Sequence, residues 1–316
     1  MRYLGLLALL TGCAAMAPEE PKRPLEEVSS WAIQLQGLDR PGAVKRVERD
    51  EADLVVIDPT RTVRGKESFP TRDVVAWFRQ KRTCLAYLNV GQAEAYRTYW
   101  RSHWRAPTAE QPGRPAYLLT VDPDGWEGNY PVAYWDLRWR GVLWGAPDAP
   151  LDQALADGFD GAYLDWILGF EDPTVVAAAR AAGVDPADAM VALVRELRAY
   201  ARRRNPRFLL IAQNGAALVA ARPEFAKVVD GISQESLSFG GRAGAGWEQG
   251  GAGDVVPVAG SPTQERLVRC RELGLPVFTL DYATLPENVE RARTLSRRLG
   301  FVPFVSRAPL DRLPTD

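Results

Sequence analysis

The sequence predicts a (β/α)8 TIM barrel in a single domain, with an aromatic-rich insertion after the third strand. Short apolar runs end repeatedly in a carboxylate or an amide: Leu54-Val-Val-Ile-Asp58, Cys84-Leu-Ala-Tyr-Leu-Asn89, Ala162-Tyr-Leu-Asp165, Leu209-Leu-Ile-Ala-Gln-Asn214, Ile232-Ser-Gln-Glu235 and Val277-Phe-Thr-Leu-Asp281. Near-continuous apolar runs mark parallel strands buried on both faces, and in a barrel their C-terminal ends share one mouth. These runs alternate with helix-period segments. Eight such units, with no nucleotide-binding glycine turn, favour a closed barrel over a doubly wound sheet.

Along the chain, strands are expected at 31–35, 54–58, 84–90, 161–165, 208–213, 231–234, 276–280 and 301–305. Helices are expected at 71–80, 151–156, 185–204, 216–221, 263–273 and 286–298. Thr71 ahead of Arg72-Asp73, and Ser261-Pro262-Thr263 ahead of Gln264-Glu265, are start signals for two of them. The insertion, residues 92–148, holds Trp100, Trp104, Trp126, Trp135, Trp139 and Trp144, six of the ten tryptophans, with Tyr96, Tyr99, Tyr117, Tyr130 and Tyr134. It follows the third strand and so belongs to the mouth. Aromatic faces there stack on the C–H surfaces of sugar rings, and half of these rings are expected instead to form a satellite core. The stretch from Gly240 to Gly253 is rich enough in glycine to be a mobile loop placed to close over a ligand.

The N-terminus sets an expectation of location. Met1 to Leu10 carries one positive charge and an apolar run too short to span a bilayer, and Leu10-Thr-Gly-Cys13 follows. The tetrapeptide resembles a bacterial lipobox. Residues 1–12 are then a lipoprotein signal peptide, residues 13–30 a lipidated Cys13 with a flexible tether, and residues 31–316 the barrel domain. Ala14, rather than Asp, favours an outer membrane where one exists, so the expected location is the bacterial cell envelope. Membrane attachment is expected through the lipid anchor only.

Composition removes several classes of function. His103 is the only histidine, which excludes zinc-type histidine clusters and Ser/His/Asp triads. Cys84 and Cys270 lie in or beside apolar segments and read as inert buried thiols. Neither a metal nor another cofactor is expected. With 39 basic and 40 acidic residues the net charge is -1, so no electrostatic case exists for nucleic acid.

Five blocks carry a family resemblance: Trp31-Ala-Ile-Gln-Leu-Gln, Val56-Ile-Asp58, Ala86-Tyr-Leu-Asn-Val-Gly-Gln-Ala-Glu-Ala-Tyr-Arg-Thr-Tyr-Trp100, Trp126-Glu-Gly-Asn-Tyr-Pro-Val-Ala-Tyr-Trp135 and Gly158-Phe-Asp-Gly-Ala-Tyr-Leu-Asp165. Together they resemble glycoside hydrolase family 114, the endo-α-1,4-polygalactosaminidase-like (β/α)8 barrels, from Trp31 to about Val305. The resemblance implies Asp165 and Glu235 as the catalytic pair and a galactosamine-type polysaccharide as substrate. One departure stands out: Gln92 occupies a position where the family usually has Glu.

The residues support this chemistry independently. Glycosidic cleavage needs one carboxyl group to protonate the leaving oxygen and another to attack or stabilise the anomeric centre. Short, strand-held Asp165 suits the nucleophile of a retaining reaction, and the longer Glu235 suits the acid/base. Asp58, Tyr87, Glu94, Arg97, Asn129, Tyr130, Asn214, Asp281 and Tyr282 are the expected substrate-binding groups, with structural support as the alternative for Asp58, Glu94 and Asp281. Glu94 and Arg97, one helical turn apart, can alternatively pair with each other. An acidic mouth attracts a cationic galactosamine polymer. The rival reading is a carbohydrate-binding surface lipoprotein that has lost turnover.

Overall fold

The structure, a computed structural model, describes residues 25–59, 69–241, 254–255 and 262–314. Eight parallel strands form its centre: β1 Trp31–Gln34, β2 Leu54–Ile57, β3 Thr83–Asn89, β4 Gly161–Asp165, β5 Leu209–Gln213, β6 Gly231–Glu235, β7 Val277–Tyr282 and β8 Val302–Ser306. Every expected strand is present, with ends shifted by two residues at most. Each strand pairs with the next in chain order. The Trp31 indole N–H donates to the Val302 carbonyl at 3.1 Å, drawing the first and last strands together. The result is a nearly closed (β/α)8 barrel.

Alternation along each strand divides the core into layers. Ile33, Leu54, Val56, Leu85, Tyr163, Ile211 and Phe278 belong to one buried cluster. Their strand neighbours Val55, Ile57, Cys84 and Ala86 pack in another with Val47, Val74, Val75 and Phe78 from the helices Ala43–Arg49 and Thr71–Phe78. All six expected helices form. Three more were not expected: Ala43–Arg49, Leu137–Leu143 and Pro173–Ala181. The last had a readable signal, because the Asp172 carboxylate caps it by accepting from the Thr174 and Val175 amides and Pro173 follows at the first helical position.

The expected tether needs correction. Leu25–Glu27 form a 3-10 turn, and Leu25 and Val28 are buried in the cluster that contains Trp31. The Ser29 and Ser30 amides donate to Asp53. Residues 25–30 therefore belong to the folded domain, because burying two apolar side chains outweighs the freedom a tether would keep. Cys13 and the remainder of the leader lie outside the described residues, as do residues 242–253 of the glycine-rich stretch. Its flanks, Gly240–Gly241 and Asp254–Val255, pair antiparallel. No helix among the described residues is long and apolar enough to cross a membrane.

A short antiparallel pair, Gln92–Glu94 with Asn129–Pro131, brackets the first part of the insertion. The expectation for the insertion's tryptophans also changes. Trp139 is fully buried, and Trp100, Trp104, Trp135 and Trp144 pack against the core, so five of the six serve packing. Trp126 alone is exposed, at 38%.

Candidate active site

The strands' C-terminal ends open into a cavity of about 1100 Å3, lined by eight carboxylate residues and two arginines. Both arginines already have carboxylate partners, Arg40 with Asp311 and Arg97 with Asp58. Among the described lining residues, carboxylates therefore outnumber the cations left without a carboxylate partner.

Its wall is built from unusual backbone. Trp166, Asn214 and Ser236, with φ of 63°, 53° and 57°, directly follow the last residues of β4, β5 and β6. A left-handed conformation at a non-glycine residue costs about 1–3 kcal/mol and persists where surrounding structure enforces it. Here each kink turns the chain sharply away and leaves the preceding side chain, Asp165, Gln213 or Glu235, facing the cavity. Gly91, after β3, is required for a related reason: a Cβ there would stand 2.5 Å from the Trp166 carbonyl oxygen.

Asp165 and Glu235 both line this cavity and are only partly exposed. One Asp165 oxygen accepts from the Trp166 amide at 2.7 Å and the other from the Tyr87 phenol at 2.5 Å. Glu235 accepts from the Tyr282 phenol on one oxygen and from Gln213 at 2.7 Å on the other. Asn214 supports the Glu235 backbone by accepting its N–H at 3.0 Å. Among the described residues, neither catalytic candidate has a salt-bridge partner. Burial, with the nearby Glu235 charge adding to it, pushes Asp165 up to about 7 against its hydrogen bonds. Burial also raises Glu235, opposed by its bonds to Tyr282 and Gln213.

A contrasting cluster lies toward β2 and β3. Arg97 grips Asp58 with two parallel bonds of 2.6 and 2.7 Å, and contacts Glu94 at 2.8 and 3.1 Å. Burial alone would lower the guanidinium's pKa, but Asp58 and Glu94 together hold it well above its usual value. Tyr96 donates to Glu94 at 2.6 Å, and the Glu94 amide donates to the Tyr99 hydroxyl at 2.8 Å.

The remaining expected binding residues divide. Asp58, Tyr87, Arg97, Asn129, Tyr130, Asn214 and Tyr282 line the cavity. Glu94 does not: it is 3% exposed and spends both oxygens on Arg97 and Tyr96, so substrate contact there is corrected to support of Arg97. Asp281 is also corrected. It is completely buried, and one oxygen accepts the Ser238 and Phe239 amides at 2.6 and 2.9 Å, fixing the chain beyond β6 rather than facing the cavity. Gln92 bonds to Asp122 at 2.5 Å and accepts from Asn89 at 3.0 Å, so it ties the insertion to β3.

The cavity also contains Gln213, Asp122, Asp124, Trp126 and Trp166, which the sequence reading did not single out. Gln213 was detectable: it closes an apolar run and directly precedes Asn214. Trp166 likewise follows an expected catalytic residue. Nothing local marked Asp124 among the insertion's many acids, and Trp126 stood only as one of its six tryptophans and the head of one family block.

Two carboxyl groups without a salt bridge among the described residues, set in a barrel mouth, are the kind of pair on which glycoside hydrolases run their chemistry. Residues 13–314 match the profile of glycoside hydrolase family GH114, and the chain belongs to that family. An uncharacterised protein of Deinococcus radiodurans is 34% identical over 308 residues, covering 94% of this chain and 86% of its own. The glycoside hydrolase domain of PelA from Pseudomonas aeruginosa is similar in fold, with a TM-score of 0.61 at 22% identity over 91% of this chain and 98% of its own. Ega3 of Aspergillus fumigatus, solved in complex with galactosamine, has a TM-score of 0.64 at 16% identity over 96% and 98%.

Proposed function

We propose that this protein cleaves α-1,4-linked galactosamine-type polysaccharide, with Asp165 and Glu235 as the catalytic pair in a retaining reaction. The observation that carries the reading is that these two carboxyl groups, alone among the five acids that end or follow the apolar runs, line the cavity with no arginine partner among the described residues. Asp165 attacks the anomeric carbon while Glu235 transfers its proton to the departing glycosidic oxygen. Water then attacks the glycosyl-enzyme, Glu235 removes its proton, and Asp165 is released as carboxylate. Tyr87 and Tyr282 hold the two carboxyl groups in place.

The substrate class follows from charge. Ega3 was solved with galactosamine bound, and the described lining of the present cavity carries a surplus of carboxylates that attracts protonated amines. An ammonium at C2 lies next to the anomeric carbon, so a bound cationic sugar favours the ionised Asp165 that the attack requires. Product analysis on α-linked galactosamine and N-acetylgalactosamine polymers tests the proposal. Shorter oligosaccharides with initial retention of anomeric configuration by NMR are expected from the amine polymer. Absence of cleavage of either polymer overturns it.

The proposed setting is the bacterial cell envelope, with Cys13 as the lipid-anchored N-terminus; Leu10-Thr-Gly-Cys13 supports this. Wild-type protein expressed in a bacterium should partition with membranes, and Cys13→Ser should not. An unlipidated, soluble mature wild-type chain would reject the anchor.

A further inference from the structure

Trp126 differs from every other described tryptophan of the insertion. It belongs to none of the buried clusters and makes no ring–ring or cation–ring contact among the described residues. Leaving so large an apolar ring in water forgoes stabilisation that burial would supply. Yet its backbone is firmly held. Its amide donates at 2.8 Å to Asp122, the Asp124 amide donates to the same carboxylate oxygen at 3.0 Å, and the other Asp122 oxygen accepts from Gln92. The Ala95 amide donates to the Gly128 carbonyl at 2.8 Å, closing the far side of the turn. A ring exposed on a fixed turn, in the wall of the cavity that contains Asp165 and Glu235, is a preformed surface rather than a loose end.

Asp124 lines the same cavity, and no side-chain donor reaches its carboxylate among the described residues. Its charge is felt at Glu235, which places it within electrostatic reach of the proposed acid/base.

We infer that Trp126 and Asp124 form a sugar subsite beside the catalytic pair, taking a neighbouring unit of the polymer: the indole stacks on the C–H face of a hexosamine and the carboxylate pairs with its protonated amine. The inference deepens the proposed function and rests on it for the identity of the polymer. It assigns the two forces separately, stacking to Trp126 and selection of the free amine over the acetylated one to Asp124.

The test uses the full-length chain carrying Glu235→Gln, so that ligand survives, titrated calorimetrically with an α-1,4-linked galactosamine pentamer and with its N-acetylated counterpart. Adding Trp126→Ala should weaken both ligands on the order of tenfold, and Trp126→Tyr should restore most of that loss. Asp124→Asn should weaken only the amine form, by a factor that shrinks as salt rises. Melting temperatures should stay at the parent value, since Asp122 and Gln92 hold the turn. Parent-like binding of both ligands by Trp126→Ala and Asp124→Asn overturns the subsite, as does a parent that binds neither ligand. If the variants bind less while the wild type cleaves neither polymer, the subsite stands and the hydrolase reading falls. If they bind normally while the wild type cleaves, the reverse holds.

Discussion

Two regions of the barrel mouth use the same side chains to opposite effect. Toward β2 and β3, Asp58 and Glu94 are closed on a buried arginine, with Asp58 held by paired bonds. Toward β4 and β6, Asp165 and Glu235 are held by phenols, amides and a carboxamide, none of which carries positive charge. Neutral donors fix a carboxyl group's position without neutralising it. Burial then works against the ionised form, and Asp165 is pushed up to about 7. The arginine cluster is thereby a structural cross-link, whereas burial raises both members of the phenol-held pair.

The largest break in this comparison is removal of the exchangeable groups. Asp165→Asn or Glu235→Gln should lower turnover by about a thousandfold or more, as expected for groups acting chiefly in the transition state. With an activated aryl glycoside, whose leaving group needs little protonation, Glu235→Gln should recover much of its first-step rate and Asp165→Asn should not. Unchanged turnover in either variant would reject the catalytic pair.

Removing the cross-link should act on stability instead. Arg97→Met leaves two buried carboxylates without their cation, and breaking a buried pair this way costs about 3–5 kcal/mol. Urea denaturation should show the loss. If stability is retained, Arg97 is not the structural centre that its contacts imply.

A smaller effect sharpens the other half. Asp165 has a folded-state pKa above its unfolded value, so its favourable contribution is complete below about pH 4 and is lost as pH rises through about 7. Asp165→Asn removes that dependence. The variant should match the wild type near pH 4 and melt higher above pH 7, by about 3 °C, with cleft water keeping the gain modest. An equal difference at both pH values would show that the gain does not come from the charge.

The smallest expected effect is at Tyr87. Its hydrogen bond favours ionised Asp165, so Tyr87→Phe should move the acid limb of kcat/KM upward by about one pH unit or less. Near pH 8 the rate should approach that of the wild type. A limb that stays in place would detach Tyr87 from the titration of Asp165.

All eight strands and the placement of Asp165 and Glu235 at strand ends were legible in the sequence. A buried parallel strand writes its burial into a contiguous apolar run, and the chain leaves the core where the first carboxylate or amide appears. That information is local. The same local reading placed Asp58, Glu94 and Asp281 in the mouth beside Asp165 and Glu235, since each follows an apolar run or lies just beyond one. It also treated Trp126 as one aromatic among many, because packing partners of a ring in a long insertion have no fixed spacing.

The sequence by itself determined the barrel, its mouth and the candidate acids. Only the tertiary structure decided which acids are closed on a cation and which are held by neutral donors. Asp58 meets Arg97 from 39 residues away, Asp165 meets Tyr87 from 78 and Glu235 meets Tyr282 from 47. A carboxyl group's protonation depends on the charges and donors within a few ångströms and on the water it has lost, and barrel closure brings those neighbours together from separate strands.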